Sequence, residues 1–223
     1  GRATKSVLAY SSAIFADATS LKKKKKGLPV VDKIFQDYAE RNHFPAISYG
    51  IVAGGQLIHT NSFGTANLQQ KATANSKTLF RIASMSKSFT AMAILKLRDE
   101  GKLALTDAVS KYIPEMNGAG ALTTDASAIT IQNLLTMAAG FPEDTPWGDR
   151  QLDATDEELL KQIRKGISFS NVPGVSFEYS NLGFALLGRI VSQVSGTPYQ
   201  KYITEKIMKP IGMNDSKWEY SEI

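Results

Sequence analysis

The chain has 223 residues, of which 43% are hydrophobic and 9% aromatic, as is typical of globular proteins. A chain of this length can bury roughly 70% of its unfolded surface, which suits one large or two small domains. The formal net charge of +5 comes from the five lysines of residues 22–26, because without them the 26 basic residues fall to 21 and equal the 21 acidic ones. Because the rest of the chain has equal numbers of basic and acidic residues, a nucleic-acid partner is not expected.

The chain has no Cys, and its two His are far apart in sequence. Cysteine-based metal and redox sites are therefore excluded, a histidine-built metal site is not expected, and we predict no cofactor. No apolar run approaches the 18 or so residues that a membrane span needs.

The first 27 residues differ from the rest. Residues 6–18 resemble a trimmed or weak export signal that ends in small side chains, and a frayed helix is the alternative. The lysine run is most simply a solvated linker, while contact with an anionic surface, and so a membrane-proximal position, stays open.

The pattern after Leu28 predicts an amphipathic helix to about Arg41, then strands at residues 46–52 and 56–63 on either side of Gly54-Gly55. Because a two-stranded hairpin is marginally stable and later residues offer no obvious strand, either residues outside the 223 complete the sheet or the fold is helical with an accessory hairpin. We interpret His59, in the second strand, as a packed or surface residue.

Ser84 and Lys87 stand where an apolar helix is predicted to begin, running to about Glu100. Residues at i and i+3 share a helix face, and the first turn has unpaired N–H groups and the positive end of the helix dipole. This spacing places a nucleophile beside a possible base, provided that burial keeps Lys87 neutral. Chance is the alternative, since Ser20 and Lys23 match the same pattern within the solvated lysine run.

The rest of the chain predicts helices only. They cover residues 129–138 with Thr130 as cap, 155–166 opened by a capping box, 182–196 and 199–208. The loop of residues 141–151 is long enough to be functional, and its Trp147 either lines a pocket or packs.

Tyr179-Ser180-Asn181 is the single Tyr-x-Asn in the chain and stands where a loop meets a predicted helix. Together with Ser84-x-x-Lys87 and the Leu-Leu-Thr-x-x-x-Gly segment of residues 134–140, it resembles the class C β-lactamase and D,D-peptidase family of penicillin-recognising serine hydrolases, which includes related esterases. Residues 210–213, Pro-Ile-Gly-Met, also resemble that family. The similarity runs from about Leu28 to the end of the chain.

The resemblance implies an α/β fold of the α+β type, β-lactamase/transpeptidase-like, with a helical subdomain and an antiparallel sheet that is incomplete in this chain. Residues 1–27 would form an N-terminal segment and linker. Residues 28–80 would belong to the sheet subdomain, and residues 81–223 to the mainly helical subdomain with both motifs.

The resemblance also implies roles for the motif residues. Ser84 would be the acylated nucleophile, Lys87 its base partner and Tyr179 the phenol that relays a proton to the leaving group and later helps to activate water. Asn181 would hydrogen-bond Lys87 and the substrate amide. The backbone N–H of Ser84 would be half of the oxyanion hole.

The chain departs from the family pattern in its third motif, a Lys or His, then Thr or Ser, then Gly. Residues 77–79 and 59–61 come nearest, and both lack the Gly. The family places that motif in a C-terminal segment, so we expect the remainder of the fold in the same gene or in a second fragment. Met137 and Ala139 replace the more common His and Ser, which we interpret as packing variation. The absence of Ser-Asp-Asn favours the Tyr-containing branch over class A enzymes.

The leading hypothesis is a hydrolase that forms an acyl-serine with β-lactams, D-Ala-D-Ala peptides or esters. The alternative is a penicillin-binding or sensor domain that is acylated without turnover. An α/β-hydrolase is excluded because no Gly-x-Ser-x-Gly occurs in the sequence. The resemblance implies a small-molecule or peptidoglycan-peptide substrate and a periplasmic or secreted location in a bacterial envelope.

Overall fold

The structure is a computed structural model that describes residues 25–144 and 154–222. The predicted export signal, most of the lysine run and Trp147 of the long loop lie outside the described residues. No helix in the described ranges is both long and apolar enough to cross a membrane. The chain divides into two compact units, Gly1–Phe80 and Arg81–Ile223, which we call the sheet unit and the helical unit.

The sheet unit contains helix α1 (Leu28–Arg41) and strands β1 (Ala46–Ala53), β2 (Gln56–Asn67) and β3 (Ala72–Thr73). The strands pair antiparallel in the order β1-β2-β3. The predicted helix and hairpin are confirmed, whereas the expectation of no further strand is wrong. β3 is too short, at two residues, to produce a hydrophobic pattern in the sequence.

The hairpin turn explains why two glycines separate β1 and β2. Gly54 and Gly55 have φ of 58° and 72°. Positive φ at both central residues defines the type I′ turn, whose twist matches that of paired strands and which side chains other than Gly, Asn and Asp adopt poorly. The turn therefore sets the pairing of β1 with β2.

Helix α1 is attached to the sheet by aromatic and polar contacts. The ring of Phe35 stacks on Tyr49 with centroids 4.1 Å apart. Asp32 accepts hydrogen bonds from the Tyr49 hydroxyl and from His59 Nε2, the latter at 2.7 Å. Hydrogen bonds from Tyr49, Asn61 and His59 lower the pKa of Asp32 to about 2. His59 thus has a structural partner, consistent with its interpretation as a packed residue.

The helical unit contains five α-helices within its described residues. They are α2 (Ser86–Asp99), α3 (Ile131–Leu135), α4 (Asp156–Arg164), α5 (Asn181–Ser195) and α6 (Tyr199–Tyr202), which continues as a π-helix over Ile203–Met208. All five were predicted, but α3 and α6 are shorter than expected. The prediction that α2 begins at Ser84 is wrong, because Ser84 lies in the 3₁₀ turn Ala83–Met85 that leads into the helix.

Helices α2 and α5 pack together at the centre of this unit. Thr90, Ala93, Ile94 and Leu97 of α2 are buried at helical spacing. Met92 on the same helix is 41% exposed, so α2 is buried along one side only. The facing residues of α5 are Leu186, Leu187, Ile190 and Val191, all fully buried. This core fixes the N-termini of both helices, where the motif residues stand.

Caps fix where the helices begin and end. Thr130 and Thr155 each form a capping box, with Asn133 and Glu158 respectively. The sequence predicts the box at Thr155 and, for Thr130, a cap alone. Ser180 caps α5 by accepting a hydrogen bond from Gly183 N at 2.9 Å. Helix α5 therefore begins directly after Tyr179 and Ser180 of the second motif.

Candidate active site

Ser84 and Lys87 meet at the start of α2. Lys87 lies in the first turn, and its Nζ donates a hydrogen bond to Ser84 Oγ at 3.0 Å. Ser84 is exposed, whereas Lys87 is half-buried. The preceding residue, Ala83, has φ of 43°. A left-handed conformation is costly for a residue with a Cβ, and such strain concentrates at functional sites.

Tyr179 and Asn181 reach the same lysine from the start of α5. Lys87 Nζ donates to Tyr179 Oη at 2.7 Å and to Asn181 Oδ1 at 2.6 Å. Tyr179 Oη in turn donates to Ser84 Oγ at 2.5 Å. The structure therefore brings together all four residues that the sequence singled out. A lysine ammonium has three N–H donors, and each has an acceptor here.

The lysine also changes the acidity of the tyrosine. Burial raises the pKa of Tyr179, but hydrogen bonds with Lys87 and Ser84 and the charge of Lys87 outweigh it, so the pKa lies below its usual value. Lys87 Nζ lies 4.8 Å from the Tyr179 ring centroid and 5.8 Å from that of Phe184. These faces stabilise a cation at this position. The geometry thus favours proton transfer through the tyrosine hydroxyl.

The segment that follows α3 is hydrogen-bonded to the loop that precedes Tyr179. Glu178 N donates to Met137 O at 2.8 Å, and Ser170 N donates to Gly140 O at 2.9 Å. Gly140 has φ of 84°, and a Cβ there would lie 2.1 Å from the carbonyl oxygen of Asn171. The close approach requires glycine. The Leu-Leu-Thr-x-x-x-Gly segment therefore has a structural task, which is to align residues 170–178.

Asp144 is a site residue that sequence reasoning missed. Its Oδ1 accepts from Asn181 N at 2.6 Å, and its Oδ2 accepts from Leu182 N at 2.8 Å and from Ser180 Oγ at 3.0 Å. The carboxylate thus binds the first turn of α5 directly behind the Tyr-Ser-Asn motif. The length of the loop at residues 141–151 marked this segment as functional, but nothing marked Asp144 itself, because it lies 36 residues before Ser180.

No group of three or more His, Cys, Asp or Glu side chains that could hold a metal ion occurs within residues 25–144 and 154–222. What the site does contain is a hydroxyl, a lysine, a phenol and an amide in one hydrogen-bonded group. Such a group supports nucleophilic catalysis with general acid–base assistance.

Comparisons with known proteins place the chain in a family. The family model described as Beta-lactamase matches residues 31–223. Protein flp of Staphylococcus aureus (strain N315) is 35% identical over 194 residues, covering 85% of this chain and 38% of that protein. The octameric penicillin-binding protein homologue from Pyrococcus abyssi superposes with a TM-score of 0.76 and 30% identity, covering 87% of this chain and 45% of that one.

A class C β-lactamase solved in complex with cefoxitin superposes with a TM-score of 0.75 and 25% identity, covering 90% of this chain and 54% of that one. The chain thus spans less than half the length of the curated relative and about half the length of the two solved structures. The resemblance and the fold class predicted from the motifs are confirmed. The chain belongs to the β-lactamase family and has its serine hydrolase fold, with helices and a small antiparallel sheet.

Proposed function

We propose that the protein is a serine hydrolase that works through an acyl-serine intermediate, with Ser84 as the nucleophile. The observation that carries this proposal is the contact of Lys87 Nζ and Tyr179 Oη with Ser84 Oγ, at 3.0 and 2.5 Å. Both distances allow direct proton transfer. Asn181 fixes Lys87 from the other side at 2.6 Å.

In the acylation step, Ser84 Oγ attacks the carbonyl carbon of the substrate while its proton passes to the Lys87–Tyr179 pair. We treat the pair as one acid–base unit because their hydroxyl and amine are hydrogen-bonded at 2.7 Å. Its lowered pKa raises the fraction of Tyr179 that is present as phenolate, the form that can accept the proton of Ser84. The tetrahedral intermediate places negative charge on the former carbonyl oxygen, near the backbone N–H of Ser84.

Collapse of the intermediate breaks the carbon–nitrogen bond of an amide or lactam, or the carbon–oxygen bond of an ester. Tyr179 Oη then delivers the proton to the departing nitrogen or oxygen. In deacylation a water oxygen attacks the acyl carbon, its proton passes to the pair, and Ser84 Oγ recovers a proton as it leaves. The second half of the reaction thus reverses the roles of the first.

We propose β-lactams, D-Ala-D-Ala peptides or simple esters as substrates, because each has a carbonyl carbon that a serine hydroxyl can attack to form an acyl-serine. The similarity to a penicillin-binding protein homologue and to a class C β-lactamase bound to cefoxitin supports the first two. A periplasmic or secreted location, where peptidoglycan peptides and β-lactams occur, follows from the same proposal.

We propose further that the functional protein contains more of the family fold. The Lys/His-Thr/Ser-Gly motif of the family does not occur in this sequence, and Ser84 can supply only one oxyanion donor. The chain also covers only about half of the related structures. A second N–H from that part of the fold would complete the oxyanion hole.

Labelling of the complete gene product tests the nucleophile. After incubation with a fluorophosphonate or a penicillin, mass spectrometry should find one adduct, on the peptide that contains Ser84, and Ser84→Ala should remove it. An adduct on another peptide, or an unchanged rate in Ser84→Ala, would overturn the assignment.

A penicillin sensor remains the second candidate, because acylation alone needs no activated water. Pre-steady-state acylation compared with steady-state turnover separates the two. A burst followed by continued product release identifies a hydrolase. A burst of one equivalent with no further turnover identifies a sensor.

A further inference from the structure

Asp144 makes more contacts with the Tyr-Ser-Asn motif than a helix cap requires. Its two oxygens accept three hydrogen bonds, from Asn181 N, Leu182 N and Ser180 Oγ, at 2.6, 2.8 and 3.0 Å. Ser180 already caps α5 through Gly183 N at 2.9 Å and is 3% exposed. The helix therefore has an N-cap without Asp144, and the carboxylate acts on the motif itself.

The backbone of Asn181 connects this carboxylate with Lys87. Asn181 N donates to Asp144, and Asn181 Oδ1 accepts from Lys87 Nζ at 2.6 Å. A short side chain such as Asn has little freedom once its backbone is fixed, so the carboxylate determines where the amide oxygen lies. A shift of about 1 Å at a residue that positions reacting groups can cost a hundredfold in rate.

We propose that Asp144 is a positioning residue for acylation, fixing the start of α5 so that Asn181 and Tyr179 hold Lys87 against Ser84. The proposal rests on the proposed serine hydrolase function and deepens it. Asp144 makes no contact with Ser84 or Lys87 among its hydrogen bonds in the described part of the chain, so its effect passes through the motif.

The negative charge of Asp144 has a second, separable effect. The charged groups that act on Tyr179 are Lys87, which lowers the pKa of the phenol, and Asp144, which raises it. Removing the carboxylate charge should therefore lower the pKa of Tyr179 further. The limb of the pH–rate profile that reports Tyr179 should then move to lower pH, a change that a purely structural role would not produce.

The test uses Asp144→Ala and Asp144→Asn in the complete gene product, with the rate of Ser84 labelling by a fluorophosphonate as readout. We expect Asp144→Ala to lower the rate about a hundredfold. Asp144→Asn keeps one acceptor oxygen and should recover part of that loss. Asp144→Asn should shift the Tyr179 limb to lower pH, because it removes the charge while an acceptor oxygen stays in place.

Glu158→Ala is the matched control. Glu158 also binds a helix start, accepting from Thr155 N at 2.7 Å and Thr155 Oγ1 at 2.8 Å. It caps α4, and within the described residues it has no hydrogen bond with the Tyr-Ser-Asn motif. We expect it to lower the melting temperature while leaving the labelling rate and its pH profile unchanged.

A labelling rate in folded Asp144→Ala within about threefold of the unaltered protein would overturn the proposal, since misplacement costs about a hundredfold. If Asp144→Ala does not fold, Asp144→Asn is the test. An unchanged labelling rate together with an unshifted Tyr179 limb in that variant would overturn the proposal. Labelling of the unaltered protein at Ser84 keeps these outcomes distinct from failure of the proposed function, which would show as no Ser84 adduct at all.

Discussion

The two units of this chain are stabilised in different ways. In the helical unit Ile94, Leu97, Leu186 and Ile190 are fully buried within one continuous core. In the described part of the sheet unit, Ala39 and Ala74 are the buried apolar residues. Several larger apolar side chains there are exposed, with Val30 at 63%, Ile34 at 59%, Val52 at 68% and Leu57 at 63%.

The difference matters because apolar burial, at about 25 cal/mol per Å², is the main favourable contribution to folding. The helical unit has enough of it to fold around its own core and hold the four motif residues together. The sheet unit instead depends on the Phe35–Tyr49 stack and the polar contacts of Asp32. We therefore expect further residues of the family fold to cover the exposed apolar side chains of the sheet unit.

The largest expected effect concerns the chain without those further residues. Losing one oxyanion donor costs about 3 to 4 kcal/mol of transition-state stabilisation. The 223-residue chain alone should therefore hydrolyse nitrocefin and p-nitrophenyl acetate no faster than its Ser84→Ala variant, while the complete gene product is active. Ser84-dependent activity in the short chain equal to that of the complete protein would show that its site needs nothing more.

Paired truncations of one residue type measure the difference in packing. Ile94→Ala removes a fully buried side chain and should cost about 2–5 kcal/mol of unfolding free energy. Ile34→Ala removes a side chain that is 59% exposed, and the expected cost is within about 0.5 kcal/mol. Urea unfolding followed by circular dichroism measures both. Equal costs would contradict the contrast between the units.

The site itself gives the next prediction. Lys87→Ala and Tyr179→Phe should each lower the acylation rate at least about a hundredfold, the scale of a positioned acid or base. Lys96→Ala, on the same helix but paired with Glu100 on the surface, and Tyr112→Phe, bound to Asp107, serve as matched controls. Full activity in Tyr179→Phe would show that the Tyr179 hydroxyl has no part in catalysis and that the side chain only packs.

Acid should affect the sheet unit through Asp32. The folded pKa of Asp32, about 2, lies below its usual value of 3.8, so the stabilising contribution of this carboxylate is present at higher pH and is lost as pH falls through this window. Between about pH 4 and pH 2 we expect β1 and β2 to lose hydrogen-exchange protection before α5, which has an apolar core. Asp32→Asn should remove this pH dependence. Simultaneous loss in both units would contradict the prediction.

The sequence singled out the four candidate site residues because their motifs are local. Ser84 and Lys87 are three residues apart, and Tyr179 and Asn181 are two apart at one helix start. The meeting of the two motifs depends on the packing of α2 on α5, which the sequence indicated only through resemblance to a family. Asp144 could not be predicted, because its 36-residue separation from Ser180 gives no periodic signal. Strand β3 was not predicted because two residues are too short for a hydrophobic pattern. The left-handed conformation of Ala83 was not predicted because the sequence around it gives no signal for positive φ.

Hydrogen exchange measured by mass spectrometry, on the 223-residue chain beside the complete gene product, tests the central contrast most directly. We expect peptides from α2 and α5 to be equally protected in both, because their core lies within the helical unit. Peptides from β1 and β2 should gain protection only in the complete protein. Full protection of β1 and β2 in the 223-residue chain, or loss of protection in α2 and α5 there, would contradict the account.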